Sequence, residues 1–184
     1  MNGWYETMEW LYHYYDKSTG PFRNLSDLLP EDAENVLTAI RNSNRGFASK
    51  RSKDYLEIRR SLELKARQLF IHKGGSPIRS HPHYMTLGEC PWLMGWYPEG
   101  KALSLSISEF DPSTISFTYG DLFPTMRYLD DKPYRKQIYL LDEIRHVIRQ
   151  FGLPQNWNPE GNKGPERYIE VQIWDDKPLQ KWKS

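Results

Sequence analysis

The sequence predicts an α+β fold, with a helical N-terminal third packed on a mostly antiparallel sheet and one further helix in the C-terminal half. Three observations predict it. Up to Gly74-Gly75, apolar residues recur at helical spacing; after Ser76-Pro77 they alternate with period 2; and one more helical stripe, near residues 138–151, precedes the last alternating run. Strands joined by hairpin-like turns, with helices to one side, favour this class over a doubly wound sheet. The chain has 184 residues, about one domain's worth. No linker divides it, so residues 1–184 read as one domain, with a helical portion over 1–75 and a strand-rich portion over 76–184.

Trp4, Met8, Leu11 and Tyr15 fall on one helical face, and Gly20-Pro21 breaks that helix. Pro30 suits a first helical turn, with Glu31, Asp32 and Glu34 near the positive end of the helix dipole and Val36, Leu37 and Ile40 as the buried side. A longer helix is predicted from about Ser52 to Ile71, with Tyr55, Ile58, Leu62 and Leu69 as its stripe and Gly74-Gly75 as its stop. His83 to Leu87 reads as a strand. Lys101 to Phe110 sets Leu103, Leu105 and Ile107 against Ser104, Ser106 and Ser108. Ile115, Phe117 and Tyr119 make the next apolar face. A helix from about Tyr134 carries Ile138, Leu141, Ile144, Ile148 and Phe151, and Gly152 and Pro154 end it. After an Asn/Gly/Pro-rich loop, Glu166 to Trp174 alternates: Ile169, Val171 and Ile173 on one face, Tyr168, Glu170, Gln172 and Trp174 on the other.

An aromatic content of 14%, with 7 Trp and 12 Tyr, argues against disorder. Cys90 is the only cysteine, so neither an internal disulfide framework nor a cysteine zinc cage is available. With no signal peptide at MNGWYETMEW and no apolar run near the ~20 residues of a membrane span, the expectation is a cytoplasmic protein without a membrane partner. The net charge of +1 is unevenly spread. Arg41 to Arg79 holds 11 Lys/Arg against Asp54, Glu57 and Glu63, or 11 − 3 = +8, leaving −7 for the rest. Such a segment suits an acidic protein or weak nucleic-acid contact, or else it is a solvated helix face.

The last strand is the strongest functional sign. Two aromatics, Tyr168 and Trp174, bracket Glu170 and Gln172 on one face, a combination that suits the floor of a cleft for a flat, polar ligand. His81 and His83, at i and i+2 on an extended chain beside Tyr84, could chelate a metal with Asp121 or Glu170. No HExxH or CxxC accompanies them, so no metal site is expected and a structural or ligand-contacting histidine is the plainer reading. Asp121, after Gly120, either meets a ligand or caps the following turn. Trp157 and its neighbouring amides lie in a loop that could close over the last strand's polar face. Cys90, among Trp92, Leu93 and Met94, reads as an inert thiol. GxGxxG, Walker and GxSxG motifs are absent, which removes the common dinucleotide, phosphoryl-transfer and α/β-hydrolase readings.

The order of a histidine, an aromatic/hydroxyl strand and a late-strand glutamate resembles the layout of bacterial ADP-ribosyltransferases. Tyr168-Ile169-Glu170-Val171-Gln172-Ile173 is similar to that family's last motif, and Phe117-Thr118-Tyr119-Gly120-Asp121 resembles the middle strand of some members. The resemblance covers about a third of the residues after Pro77. The first motif departs from the pattern, because two histidines flank a proline. The resemblance implies NAD as cofactor, Glu170 and His83 as catalytic residues, and His81, Tyr84, Tyr119, Asp121, Gln172 and Trp157 around the nucleotide-type ligand. Glu170 would hold a ribose hydroxyl and favour an oxocarbenium-like transition state. The alternative is a non-catalytic ligand-binding or protein-interaction domain in which Tyr168, Trp174 and Trp157 form an aromatic recognition surface. An enzyme needs His81 or His83 close to Glu170 across one cleft.

Overall fold

The structure is a computed structural model that describes residues 3–183, without the side chains of Trp4, Tyr5 and Phe47. Its centre is a five-stranded sheet of order β3-β1-β2-β5-β4, antiparallel throughout: β1 Trp10–Asp16, β2 His83–Leu87, β3 Gly100–Ser106, β4 Ile115–Tyr119 and β5 Ile169–Ile173. The helices are α1 Gly3–Thr7, α2 Pro30–Ser43, α3 Tyr55–His72, α4 Leu122–Arg127, α5 Leu141–Phe151 and α6 Pro154–Trp157. The α+β class is the one the sequence predicts.

Register divides the side chains cleanly. Leu11, Leu87, Ile169 and Tyr119 lie in one row and Met85, Val171 and Phe117 in the next. These rows form the aliphatic face, packed with Ile144, Val147 and Ile148 of α5. The alternate rows, Tyr12–Thr86–Glu170–Thr118 and Tyr84–Gln172–Ser116, face the other way. There Leu62, Ala66 and Phe70 of α3, Leu122 and Met126 of α4, and Trp174 form a second core. β5 is buried on both faces along its whole length.

Two local expectations are corrected. The predicted N-terminal helix ends at Thr7, and Trp10–Asp16 is a central strand. The i+3/i+4 coincidence of Met8, Leu11 and Tyr15 is overridden by pairing on both sides of β1, which suits a run rich in aromatics. The predicted helix from Tyr134 begins only at Leu141, because Tyr139 exchanges backbone bonds with Phe117 at the edge of β4 (2.9 and 2.8 Å). β3 stops at Ser106, where a 3-10 turn from Ile107 to Glu109 begins; Ile107 still reaches the core.

Candidate functional site

The face of β5 that the alternation singles out is a continuous hydrogen-bonded layer. The Trp174 indole N–H donates to Ser116 Oγ (2.8 Å), and Ser116 Oγ–H donates to Gln172 Oε1 (2.8 Å). The Gln172 amide donates to Thr118 Oγ1 and to Glu170 Oε1, both at 3.0 Å. Thr118 in turn donates to the Gly120 carbonyl (2.8 Å). Each buried polar atom in this relay has its partner, which the low-dielectric interior demands.

Gly120 lies at φ +106°, where a side chain would be strained, and an added Cβ would crowd Glu166 and Thr125. This turn places Asp121 at the start of α4. Its Oδ1 accepts from the Phe123 N–H (2.7 Å), capping that helix, and its Oδ2 accepts from the Tyr168 hydroxyl (3.1 Å). Asp121 therefore both caps the turn and stands beside Glu170. Burial raises the pKa of both carboxyls, and for Glu170 the neighbouring Asp121 charge raises it further, well above the ordinary value. Asp121 is opposed in this by its two hydrogen bonds and by the charges of Arg51 and Arg59. Both carboxyls are thus pushed toward the protonated form, Glu170 further than Asp121.

A second charged group closes the layer from α3. Arg59 Nε donates to Glu63 Oε1 (2.9 Å), its other nitrogens donate to Tyr55 (3.1 Å) and to Asn24 Oδ1 (3.0 Å), and the Tyr84 hydroxyl donates to Glu63 Oε1 (2.7 Å). His81 Nδ1 lies 3.0 Å from Glu63 Oε2. Burial alone would raise the Glu63 pKa, but the His81 hydrogen bond and the Arg59 charge outweigh it and hold the carboxyl below its ordinary value. On this side of the sheet Tyr12, Tyr55, Tyr84, Tyr97 and Phe123 are half-buried. Tyr55 and Phe123 stack at 5.2 Å with nearly parallel planes, and Arg51 lies 4.5 Å over Tyr55.

The structure brings together Glu170, Gln172, Asp121, Tyr84 and, through Glu63, His81. It does not bring His83 to them. His83 belongs to the aliphatic side of β2, next to Phe22 (5.5 Å), and its Nε2 lies 3.0 Å from Asp176. Burial, with the charges of Arg79 and Lys183, lowers its pKa to about 3. Tyr119 and Trp157 also lie on the α5 side, where the Trp157 indole donates to the Tyr119 hydroxyl (2.9 Å) and that hydroxyl donates to the Gly152 carbonyl (2.7 Å). The segment predicted as a loop thus holds Trp157 at the end of α6, on the face opposite Glu170. Glu170 itself is only 5% exposed, enclosed within the layer rather than open to a cleft. Two surface concavities, about 430 and 340 Å³, lie elsewhere: one against Tyr139, Glu143 and His146, the other between α3 and α4 at Glu57, Leu62 and Arg127. Among the described residues no group of three His, Cys, Asp or Glu is placed to hold a metal ion, and no helix is long and apolar enough to cross a membrane.

Sequence reasoning missed Arg59 and Glu63, which sit at i and i+4 on the stripe of α3 that turns inward. It also missed His13, whose Nε2 accepts from the Phe22 N–H (2.9 Å), leaving Nδ1–H to donate to the Tyr84 carbonyl (2.9 Å). Much of the basic segment serves the chain's own structure. Arg60 donates to Leu28 O (2.7 Å), Arg67 to Arg79 O (3.0 Å) and Pro77 O (3.1 Å), Arg79 pairs with Asp176 (2.7 Å), and Lys73 pairs with Glu143 (2.9 Å). No family model matches this chain, and no curated protein or solved structure matches it either.

Proposed function

We propose that this chain is a ligand-binding domain whose site is centred on Asp121, and that its ligand is a flat, polar molecule of nucleotide type. The observation that carries the reading is the carboxylate pair. Asp121 is half-buried as a residue yet its carboxyl is enclosed beside the buried Glu170. Perturbed carboxyls that a structure keeps together are where binding and acid–base work concentrate. Asp121 takes a hydrogen-bond donor or cationic edge of the ligand. Tyr12 and the outer side of Phe123 supply ring faces for its flat surface, and Arg51, held over Tyr55, supplies a charge for an anionic group.

The experiment is a thermal-shift and NMR titration with NAD, adenosine and nicotinamide. A ligand of this class raises the melting temperature and shifts resonances of Tyr55 and Phe123. Asp121→Asn, which keeps an oxygen for the helix cap, loses the ligand shift and keeps the fold. Resonances that stay still across the whole panel would sink the reading.

A second reading, ADP-ribosyl transfer from NAD, is favoured by the same pair, because two adjacent carboxyls with perturbed pKa values suit chemistry at a glycosidic bond. In it Glu170 keeps the role that the resemblance gives it, and Asp121 and Tyr84, rather than His83, are its neighbours. Release of nicotinamide from NAD that disappears in Glu170→Gln supports this reading; binding without turnover supports the first.

A further inference from the structure

β3 is an edge strand, and its outer side is open. The flanking bonds set which of its residues face inward: the Ile107 N–H donates to Glu9 O and the Lys17 N–H donates to Glu99 O, both at 2.9 Å. Bonded and non-bonded pairs alternate along an antiparallel ladder. The register matches Leu11 with Leu105, His13 with Leu103 and Tyr15 with Lys101, so these pairs exchange the bonds with β1. The N–H and C=O groups of Ala102, Ser104 and Ser106 therefore point away from the sheet. Ala102 and Ser104 are exposed, and among the described residues no turn, loop or cap bonds to the backbone of these two, while the Ser106 carbonyl opens the 3-10 turn that begins at Ile107. The opposite edge differs, since Tyr139 takes both bonds of Phe117 on β4.

We propose that β3 is a docking edge for a second copy of this chain, paired antiparallel with Ser104 opposite Ser104. Unpaired backbone groups in a row recognise another extended chain. This edge carries none of the usual protections: it has no proline, no bulge and a single charge, Lys101. It is also self-complementary. With Ser104 at the two-fold axis, Ala102 meets Ser106 of the second copy; Ser104 gains both bonds, and the Ala102 carbonyl accepts from the Ser106 N–H. Half-buried Leu103 then lies across from Leu105 of the second copy, twice by symmetry, which continues the aliphatic face from one molecule into the next. A register centred on Leu103 would set Lys101 against Leu105 instead. One strand pair buries less than the ~1,200 Å² of a stable standard interface, so the association is weak and depends on concentration.

Sedimentation and amide exchange across a protein-concentration series test this. The expected result is a monomer–dimer equilibrium in which the amides of Ser104 and Ser106 gain protection with concentration, while those of Leu103 and Leu105 are protected throughout. Ser104→Pro removes an outward donor, leaves the bonds to β1 intact and abolishes the dimer. Cys90 is buried, so Ser104→Cys carries one accessible thiol. A bonded antiparallel pair holds its Cα atoms about 5.5 Å apart, within disulfide reach, and oxidation then yields a covalent dimer. Ala102→Cys does not, because it faces Ser106. A chain that stays monomeric at every concentration, or a dimer that survives Ser104→Pro, overturns the proposal. Cross-linking through Ala102→Cys but not Ser104→Cys overturns the register.

Discussion

The two faces of β5 bury neighbouring residues by different physics. Toward α5, Ile169, Val171 and Ile173 meet Ile144 and Ile148. That burial contributes about 25 cal/mol per Å² with no requirement on orientation. Toward α3, Glu170 and Gln172 are buried as deeply, but each depends on a named partner at hydrogen-bond distance. Leaving one such group unsatisfied costs about 1–3 kcal/mol, as much as a satisfied bond contributes or more. The aliphatic face therefore tolerates small changes by degrees, whereas the polar face is all-or-none around each partner. Such a layer is costly to keep unless it does something besides holding the fold, which is why the candidate site belongs there.

The comparison breaks most sharply at the Arg59–Glu63 pair. Glu63 has no exposed side-chain surface, so Arg59→Leu leaves a buried carboxylate without its guanidinium partner, held only by Tyr84 and His81. The expected cost in urea denaturation is about 3–5 kcal/mol, typical of removing one partner of a buried pair. Ile148→Ala, the matching lesion on the aliphatic face, is expected to cost about 2–4 kcal/mol as a cavity. The double change Arg59→Leu with Glu63→Leu should recover much of the single loss, because it strands no charge. If Arg59→Leu alone costs under about 1 kcal/mol, the layer is not held by this pair.

How far the sequence displays this contrast depends on the distance over which each element is decided. α2 and the stop of α3 were legible because Pro30 and Gly74-Gly75 act locally. β4 and β5 were legible because their alternation is unbroken. β1 was not, because Trp10–Asp16 becomes a strand through partners such as Thr86 and Ser104, far along the chain, while its local spacing also fits a helix. At the site, period 2 was enough to put Glu170, Gln172 and Tyr168 on one face. The same arithmetic would keep His81 with His83, at i and i+2; the structure separates them because β2 begins only at His83, which pairs with Ile173 on the other face, whereas His81 lies before the strand. The Arg59–Glu63 pair was hidden because a helical stripe was sought among apolar residues. The buried stripe is Leu56, Arg59, Leu62, Glu63, Ala66 and Phe70, offset from the Tyr55, Ile58, Leu62 and Leu69 of the apolar reading.

A smaller effect sharpens the comparison at Glu170. Its folded pKa is raised, first by burial and then by Asp121, while the unfolded group titrates near 4.5. Between those values the folded state holds a proton that the unfolded state has released. Stability contributed by the protonated form is complete below about pH 4.5 and is lost as pH rises toward the folded pKa. Glu170→Gln does not titrate. Its stability relative to the parent should therefore grow with pH across that interval, by at most about 1.4 kcal/mol per pH unit. Melting curves from pH 4 upward check it. A difference that is flat with pH would mean that Glu170 titrates alike in both states.

The smallest expected effect concerns Cys90, at the border of the polar face, where it packs with Tyr14 and Tyr168. Burial raises its thiol pKa to about 11 from 9.0, although the Arg167 charge opposes that shift. At pH 8 about one thiol in a thousand is then ionised, against about one in ten for an unperturbed group, so alkylation should be at least ~100-fold slower than for a free thiol. Cys90→Ser should cost only about 1 kcal/mol, since the side chain's contact with the Arg167 carbonyl is a long 3.9 Å. The labelling rate is the sharper measurement, because it reports whether the polar layer opens on its own. Alkylation that stays slow until the whole chain unfolds means that both faces of the sheet melt together. Fast alkylation in a folded protein means that the Tyr14–Cys90–Tyr168 corner opens locally, as segments of low local stability do. The enclosure of Glu170 and Asp121 would then be intermittent, and ligand access to the pair would follow that opening.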